Sequence, residues 1–514
     1  MYLTQPLHRA LQQLPDAPMT VCGERVRTTR EVADRVARLA AAFRSLGVVA
    51  GDRVGMLALN SDRLHEYFLA TWWIGAAAHP INVRWSPTEI AYALNDSGTE
   101  VLLVDDAFTA VVPELRERCP GLRTVIHCGD GPAPADMVSY DGLVRSFAPV
   151  PDGRHGGDAL ALLLYTGGTT GLPKGVMVSH RGLSASLHGS LLAMRNVDHG
   201  GTTLVTTPLF HIAAICSWYA QLLMGGTLVF LPAFTPAGFL DAVQRHRVTT
   251  CILVPLMVQL VCNHPTLADH DVSSLRSITY GGTASSDTVL RQAMETFPRA
   301  GFSQGYGMTE TGVLSTLGQE EHVRGGPRLR STGRATPTVE IAVLGPDGSR
   351  LPPGEVGEIA TCGDHVMLGY WGKPEETARA LRDGWMHTGD AGRFDENGYL
   401  YVVDRMKDMI ITGGENVYSA EVENALASHP AVASCAVVGL PDDRWSERVH
   451  AVIVLKPGRT ATLAEIQAHT RSLIAGYKTP RSVEFVETLP VSAAGKILKR
   501  VLRDTARPDT PDAP

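Results

Sequence analysis

Residues 165–175 read YTGGTTGLPKG and directly follow the apolar run ALALLL. Glycine lets the backbone approach a ligand closely and adopt positive φ, and consecutive N–H groups form an anion-binding concavity. The threonines of this stretch add hydroxyl donors, and Lys174 adds positive charge. The stretch therefore predicts a phosphate-binding loop, although a glycine turn without a ligand would also explain it taken alone.

A Walker A loop is excluded by register. That loop requires a glycine, four further residues and then Gly-Lys-Ser/Thr. Here Pro173 precedes Lys174 and Gly175 follows it, so the pattern fails in every alignment. The reaction must therefore be inferred from other segments of the chain.

Six further segments lie downstream of the loop. They are PLFHIAA at 208–214, YGGTA at 280–284, QGYGMTE at 304–310, WMHTGD at 385–390, GYLYVVDRMKDMIITGGENVYSAEVE at 398–423 and PVSAAGKILKR at 490–500. In this order the set resembles the adenylate-forming enzymes, which include acyl-CoA synthetases, firefly luciferase and adenylation domains of nonribosomal peptide synthetases. The fatty-acid and aryl acyl-CoA ligases are the most similar branch.

The resemblance implies an ATP-dependent acid–thiol ligase. A medium- or long-chain fatty acid, or an aryl acid, would attack the α-phosphorus of ATP and release pyrophosphate. The acyl group would then pass from the adenylate to CoA. Attacking and attacked groups are both anionic, so cations and hydrogen-bond donors are needed where charge develops. ATP, Mg²⁺ and CoA are the expected cofactors.

The resemblance also implies roles for individual residues of the nucleotide site. The glycine-rich segments contribute Thr166, Gly167, Gly168, Thr169, Thr170, Lys174 and Gly282. Glu310 would bind Mg²⁺ as a hard carboxylate ligand, and Thr309 would contact the α-phosphate. Tyr306 would stack on adenine, although a buried core tyrosine explains this residue equally well when it is taken alone.

Four residues with further implied roles would be ordinary turn, surface or core residues without the family context. Asp390 would accept hydrogen bonds from both ribose hydroxyls, and Arg405 would bind ribose or phosphate. Lys496 would bridge the carboxylate and the α-phosphate. His211 would gate access to the acyl entrance, whereas a lone histidine among apolar residues is more often a hydrogen-bonded core residue.

The acid's tail is expected near residues 211–219, 280–285 and 304–310. There the chain places Trp218 and three glycines, Gly281, Gly282 and Gly305, which leave room in a slot. No lysine or aspartate in these segments suits an amino group, which disfavours activation of amino acids.

Alternating helix- and strand-like segments predict an α/β fold. The alternation covers residues 29–106 and 158–246, and short strands with Gly/Pro turns predict a β-rich subdomain at about 331–403. After residue 408 the pattern predicts a small α+β domain.

Lys407 matches the family's hinge, which implies two domains. They are a core domain at 1–404, with layered α/β sheets and the β-rich subdomain, and a mobile lid domain at 405–514. The lid would swing between an adenylating pose with Lys496 inside and a thiol-transfer pose.

Three positions depart from the pattern of many relatives. Serine, proline and glycine are usual where this chain has Gly167, Ser419 and Ser446. The last two lie in the lid domain, near the face expected to take part in thiol transfer. The sequence therefore defines the adenylation step better than it defines the second nucleophile. Alternatives are loading of a carrier protein, or coupling of the adenylate, including that of an unusual oxyacid such as nitrite, to a nitrogen nucleophile. A nucleotide sensor without turnover is disfavoured because Glu310, Asp390, Arg405 and Lys496 are all present.

Composition limits the partners. The formal charge of −7 and pI near 6.2 argue against broad nucleic-acid binding. The eight cysteines form no CxxC pair and indicate reduced, mostly buried thiols. The N-terminus lacks a secretory pattern and no apolar run is long enough to span a bilayer, so a cytoplasmic enzyme is expected. A homodimer remains open.

Overall fold

The computed structural model describes residues 2–166, 173–282, 287–413, 415–491 and 497–506. The chain forms two compact units. The first comprises Met1–Ile341 and Thr361–His387, and the second comprises Ala342–Ala360 and Thr388–Pro514. The predicted boundary between residues 404 and 405 stays a prediction.

Helices and strands alternate along most of the described chain. The helices are α1 (Gln5–Gln13), α2 (Thr29–Ser45), α3 (Asp62–Trp73), α4 (Pro87–Ser97), α5 (Val112–Arg118), α6 (Tyr140–Ser146), α7 (His180–Met194), α8 (Ile212–Met224), α9 (Pro236–His246), α10 (Pro255–Cys262), α11 (Asp287–Thr296), α12 (Gln319–Arg324), α13 (Pro374–Ala380), α14 (Ser419–Ala427), α15 (Leu463–Arg471) and α16 (Lys499–Thr505).

The strands are mostly short. They are β1 (Pro18–Cys22), β2 (Arg25–Thr28), β3 (Arg53–Leu57), β4 (Ala77–Pro80), β5 (Val101–Val104), β6 (Thr124–His127), β7 (Val138–Ser139), β8 (Leu160–Thr166), β9 (Lys174–Ser179), β10 (Thr202–Val205), β11 (Thr227–Phe230), β12 (Thr250–Leu253), β13 (Ser277–Gly281), β14 (Gly301–Met308), β15 (Gly312–Leu317), β16 (Arg334–Ala335), β17 (Glu340–Leu344), β18 (Gly357–Cys362), β19 (Gly369–Tyr370), β20 (Leu381–Arg382), β21 (Trp385–Phe394), β22 (Leu400–Arg405), β23 (Ile410–Thr412), β24 (Glu415–Val417), β25 (Val432–Asp442), β26 (Ser446–Leu455) and β27 (Ser482–Phe485).

Local sequence explains where the helices begin and end. At the start of α2, the Thr28 hydroxyl accepts from the Glu31 N–H while the Glu31 carboxylate accepts from the Thr28 N–H, a capping box that satisfies two terminal donors. Helix α8 ends at Gly225, which has φ of 68° and can adopt this left-handed conformation without a Cβ clash. These local signals mark where the two helices begin and end.

The first unit contains two large sheets, with strand orders β16-β15-β14-β13-β12-β10-β11-β1-β2 and β19-β9-β8-β4-β3-β5-β6-β7. Most central neighbours are parallel, whereas β14–β15 and β8–β9 are antiparallel hairpins. The core includes α3 and α8, whose Trp72 and Trp218 are at most 1% exposed. The two hairpins carry the segments expected to bind phosphate and Mg²⁺.

The second unit contains a compact sheet of order β24-β23-β26-β25, with β27 beside β26. Helices α14 and α15 pack on one apolar cluster of this sheet, and Leu502 of α16 packs on another. The hairpin of β21 and β22 also lies largely in this unit, with Asp390 opposite Arg405. This hairpin carries the residues expected to bind ribose.

The predicted α/β class and the alternation of elements are confirmed. The helical spacing after residue 29 corresponds to α2, and the alternating segments of 158–246 include the helices α7, α8 and α9. All eight cysteines carry free thiols, and four of them are buried. Within the described segments, the helices are too short or too polar to cross a lipid bilayer.

Candidate active site

The phosphate loop is held by the β8–β9 hairpin. Thr166 is paired with Lys174 in the antiparallel register, so both ends of the loop meet. The intervening residues Gly167, Gly168, Thr169 and Thr170 lie outside the described residues. The Tyr165 hydroxyl, one residue before the loop, donates to Asp96 Oδ2 at 2.6 Å. The hairpin is thus anchored just before the loop begins.

Glu310 lies in the turn between β14 and β15 and is only 7% exposed. Its Oε1 accepts a hydrogen bond from the Tyr370 hydroxyl at 2.9 Å, and its backbone carbonyl accepts from the Met367 N–H at 2.8 Å. Burial, and then the Glu310 charge, raise the pKa of Tyr370 well above its ordinary value. Tyr370 is therefore a neutral donor that orients the Glu310 carboxylate.

Tyr370 also connects Glu310 with the phosphate-loop hairpin. Its strand β19 pairs antiparallel with β9, which brings Tyr370 opposite Val176. The Lys174 Nζ lies 5.0 Å from the centre of the Tyr370 ring, within range of a cation–π interaction. Two predicted site residues, Lys174 and Glu310, thus share a neighbour that the motif analysis missed. The signal available in the sequence was a Gly-Tyr-Trp run at 369–371, which resembled an ordinary turn.

The remaining first-unit residues lie at the ends of β13 and β14. Gly281 is opposite Gly305, and a Cβ on Gly281 would lie 2.5 Å from the Gly305 carbonyl oxygen. Gly282 follows with φ of 81°, a conformation that favours glycine. Tyr306 is in β14, and Thr309 follows that strand next to Glu310. Tight strand packing therefore explains these glycines in addition to any room they leave.

His211 and Trp218 differ in their surroundings. His211 immediately precedes α8, is half-buried, and its ring centroid lies 4.4 Å from that of Phe210. Trp218 is fully buried, and its Nε1 donates to His65 Nδ1 at 2.9 Å. Burial lowers the pKa of His65 to about 3, so this acceptor nitrogen stays unprotonated at neutral pH. Trp218 is thereby fixed within the core.

Asp390 and Arg405 form an ion pair in the second unit. Their strands place them opposite each other, and Arg405 Nε lies 3.0 Å from Asp390 Oδ1. The Asp390 side chain is 6% exposed, whereas that of Arg405 is 44% exposed. A buried carboxylate oriented by a partly exposed guanidinium is suited to accept hydroxyl donors.

Lys407 follows β22 within the short helical turn Met406–Asp408. Lys496 lies outside the described residues, in the segment 492–496. The residues on either side of that segment, Val491 and Ile497, form an antiparallel bridge, and the Leu498 N–H donates to the Pro490 carbonyl at 2.8 Å. The structure therefore fixes both ends of the segment that contains Lys496.

The carboxylates of the proposed phosphate site fit a Mg²⁺ ion that binds together with a nucleotide. They do not fit an ion held by protein side chains alone. Nowhere in the described ranges do three or more His, Cys, Asp or Glu side chains converge as a metal site would require. Mg²⁺ keeps several waters and takes one or two carboxylates plus phosphate oxygens. A single buried carboxylate such as Glu310 satisfies that requirement.

Comparison with known proteins identifies the family of the chain. Residues 7–371 match the family model described as AMP-binding enzyme, and residues 421–496 match the AMP-binding enzyme C-terminal domain. The chain is 39% identical over 501 residues to a feruloyl-CoA synthase from Amycolatopsis sp, covering 97% of each protein. It is 36% identical to the fatty acid–[acyl-carrier-protein] ligase ScoC of Streptomyces coeruleorubidus, covering 96% of this chain and 94% of that protein.

A solved structure extends the likeness to the whole fold. The amide bond synthetase McbA from Marinactinospora thermotolerans is 30% identical, with a TM-score of 0.87. The match covers 98% of this chain and 100% of the McbA chain. The protein therefore belongs to the AMP-binding enzyme family, the adenylate-forming enzymes, as an AMP-forming ligase of the acyl-CoA synthetase type.

Proposed function

We propose that this enzyme activates an aryl carboxylic acid with ATP and transfers the acyl group to CoA. The observation that carries the proposal is the joint position of Lys174, Tyr370 and Glu310, which gathers cationic and carboxylate groups beside the phosphate loop. The 39% identity to a feruloyl-CoA synthase over nearly the whole chain supports an aryl acid and CoA.

The side chains would divide the work of the first half-reaction. Lys174 and Thr166 would bind the β- and γ-phosphates, which leave as pyrophosphate. Glu310, oriented by Tyr370, would hold Mg²⁺, and a bound Mg²⁺ would neutralise charge on the phosphate oxygens. Such groups act by positioning and electrostatic stabilisation, because phosphoryl chemistry needs little covalent help from the protein.

The second unit would supply ribose contacts and the catalytic lysine. Asp390, held by Arg405, would accept hydrogen bonds from the ribose hydroxyls. Thr309, which belongs to the first unit, would contact the α-phosphate. Lys496 would bridge the attacking carboxylate and the α-phosphate. Neutralising both anions lowers the repulsion between them as the bond to phosphorus forms.

Two buried hydroxyl residues, Thr279 and Ser303, lie on the strands that end at the expected acyl slot. Thr279 and Ser303 are paired across β13 and β14, two residues before Gly281 and Gly305, so all four face the same side. Asn196 Nδ2 donates to the Thr279 hydroxyl at 2.6 Å, and the Thr279 and Ser303 hydroxyls are 3.1 Å apart. Both hydroxyls are buried and already hydrogen-bonded, so they hold the ends of β13 and β14 in place beside the expected acyl slot.

Pyrophosphate release with a panel of acids tests this function. The panel contains ferulate, benzoate, octanoate and palmitate, each with and without CoA. We expect ferulate to give the highest kcat/KM and to yield a CoA thioester. Lys496→Ala should abolish acid-dependent ATP/pyrophosphate exchange, and near-normal exchange in that variant would refute the role of Lys496.

Two other acceptors have specific support. ScoC is described as a ligase for an acyl-carrier protein, and McbA as an amide bond synthetase. If the enzyme releases pyrophosphate with an acid but forms no CoA thioester, CoA is not the acceptor. Formation of an acylated carrier protein or of an amide, once a carrier protein or an amine is added, would identify the acceptor instead. If octanoate or palmitate gives the highest kcat/KM in the panel, the proposed substrate becomes a fatty acid instead of an aryl acid.

A further inference from the structure

The C-terminal end of α7 lies against the sheet face that carries Gly305. A Cβ on Gly305 would lie 3.0 Å from the terminal methyl carbon of Met194 and 3.8 Å from Cγ1 of Val313. Carbon atoms in ordinary van der Waals contact are about 3.5–4.0 Å apart, so the Met194 methyl is closer than such a contact allows. The space that Gly305 leaves over β14 is therefore occupied by the Met194 side chain.

Met194 is held in this position by the residues that end its helix. It is the last residue of α7 and is only 7% exposed. Arg195 follows with φ of 49°, a left-handed conformation that ends the helix. Asn196 comes next, and its Nδ2 donates to the Met194 sulfur at 3.5 Å and to the Thr279 hydroxyl at 2.6 Å. Met194 is thereby linked to β13 as well as to β14.

The face that Met194 covers is the face on which α8 lies. Helix α7 packs on β15, and α8 packs on β12 and β15. Since the two helices also contact each other, they cover the same side of the sheet. Val313 of β15 packs against the apolar cluster that contains Ala214 and Ile215 of α8. The expected acyl segment 211–219 therefore lies on the side toward which a Gly305 side chain would point.

The position of Met194 bears on how far an acid can extend along β14. Thr309, which follows the strand, is assigned to the α-phosphate, so the carboxylate of the acid would lie near that end. A tail that runs back along the strand from there reaches Gly305 and meets the Met194 methyl. Because that methyl fills the space beside Gly305, a longer tail has to displace a buried side chain, and packed apolar interiors resist added atoms.

We propose that Met194 is a specificity-determining residue that closes the far end of the acyl slot, so that the enzyme accepts an aryl acid with a small ring substituent and discriminates against longer tails. The role rests on the proposed function, because it presumes that an acid binds beside β14. Met194→Ala removes the side chain beyond Cβ and keeps a residue that favours helices, so it lengthens the slot while α7 is retained. One methylene in an apolar pocket changes kcat/KM by about tenfold or more.

The test compares acids of one homologous series in the full-length enzyme. The series is ferulate and its methyl, ethyl and butyl phenol ethers, and kcat/KM is measured by ATP/pyrophosphate exchange. In Met194→Ala we expect the ratio of kcat/KM for the butyl ether to that for ferulate to rise by at least about tenfold. A loss of folded enzyme lowers kcat/KM for every acid alike, so this ratio reports the slot and not the stability. Leu192→Ala, at a position of α7 that is 63% exposed, should leave the ratio unchanged.

Met194→Val provides a second variant if Met194→Ala does not fold, as judged by circular dichroism. Valine keeps more of the buried volume but is too short to reach Gly305, so the ratio should rise in the same direction. An unchanged ratio in a folded variant would overturn the role of Met194. If the wild type prefers octanoate, the aryl substrate fails while the role of Met194 is tested by the ratio of palmitate to octanoate, which Met194→Ala should raise. A wild type inactive with every acid would contradict both.

Discussion

At the scale of single residues, Tyr370 is the side chain that contacts both Glu310 and Lys174 of the proposed phosphate site. Its hydroxyl donates to Glu310 and its ring lies under Lys174. Tyr370→Phe keeps the ring and removes only the hydroxyl, so it isolates the hydrogen bond. We expect kcat/KM for MgATP in pyrophosphate exchange to fall by about tenfold, since a hydrogen bond to a charged group is worth about 1.5–3 kcal/mol.

Tyr477→Phe is a matched control, because Tyr477 is exposed and its ring also lies beside a lysine, Lys478. It should leave the exchange rate unchanged. An unaltered dependence on MgATP in Tyr370→Phe would show that Glu310 needs no orienting donor.

The same residues show which parts of the site could be predicted from the sequence alone. Lys174 and Glu310 each lie within a motif of consecutive residues, so local pattern was sufficient to propose them. Tyr370 is 60 residues from Glu310, and its position depends on pairing between β19 and β9. No local pattern contains that pairing.

At the scale of elements, the start of α3 depends on a buried carboxylate. Asp62 is fully buried and accepts from Arg25 at 2.7 and 2.8 Å and from Arg27 at 3.0 Å. Removing one partner of a buried ion pair costs about 3–5 kcal/mol. Asp62→Asn should therefore lower the free energy of unfolding of the first unit by about 3 kcal/mol at pH 7, measured by urea denaturation with tryptophan fluorescence.

The effect of Asp62→Asn should depend on pH. Burial alone would raise the pKa of Asp62, but the hydrogen bond and charge of Arg25 outweigh it and lower the pKa below its ordinary value. The ionised carboxylate thus stabilises the fold above about pH 4, and this contribution is lost as the pH falls through the folded pKa. The difference between wild type and variant should shrink on acidification. The exposed Asp198→Asn should show no such trend, and a pH-independent difference would contradict the assignment.

The helices and strands were easier to predict from the sequence than the order in which the strands pair. The helical spacing that predicted α2 is contained in a single run of consecutive residues, Thr29–Ser45. Strand order is not local: β1 pairs with β11, so Thr20 lies opposite Leu228. The alternation of elements therefore predicted the α/β class, whereas the order of strands within each sheet required the structure.

At the scale of the whole molecule, each compact unit contains residues that the family resemblance assigns to nucleotide binding. The phosphate loop, Glu310 and Tyr370 belong to the first, whereas Asp390 and Arg405 belong to the second. The family match continues across both units, with one model ending at residue 371 and the other beginning at 421. Lys407 lies between the two matched ranges, where a change of backbone direction would alter the placement of everything that follows.

Lys407→Pro tests whether the second half-reaction needs such a change. Proline fixes φ near −65° and also restricts the preceding residue, so it limits rotation without removing a group assigned to ATP. We expect ATP/pyrophosphate exchange to stay within about twofold of wild type, while thioester formation from the isolated adenylate falls by at least about tenfold. Lys407→Ala, which removes the ammonium but leaves the backbone free, should retain both activities. Equal loss of both half-reactions in Lys407→Pro would mean that the substitution perturbs the fold, and that the chain does not pivot at this residue.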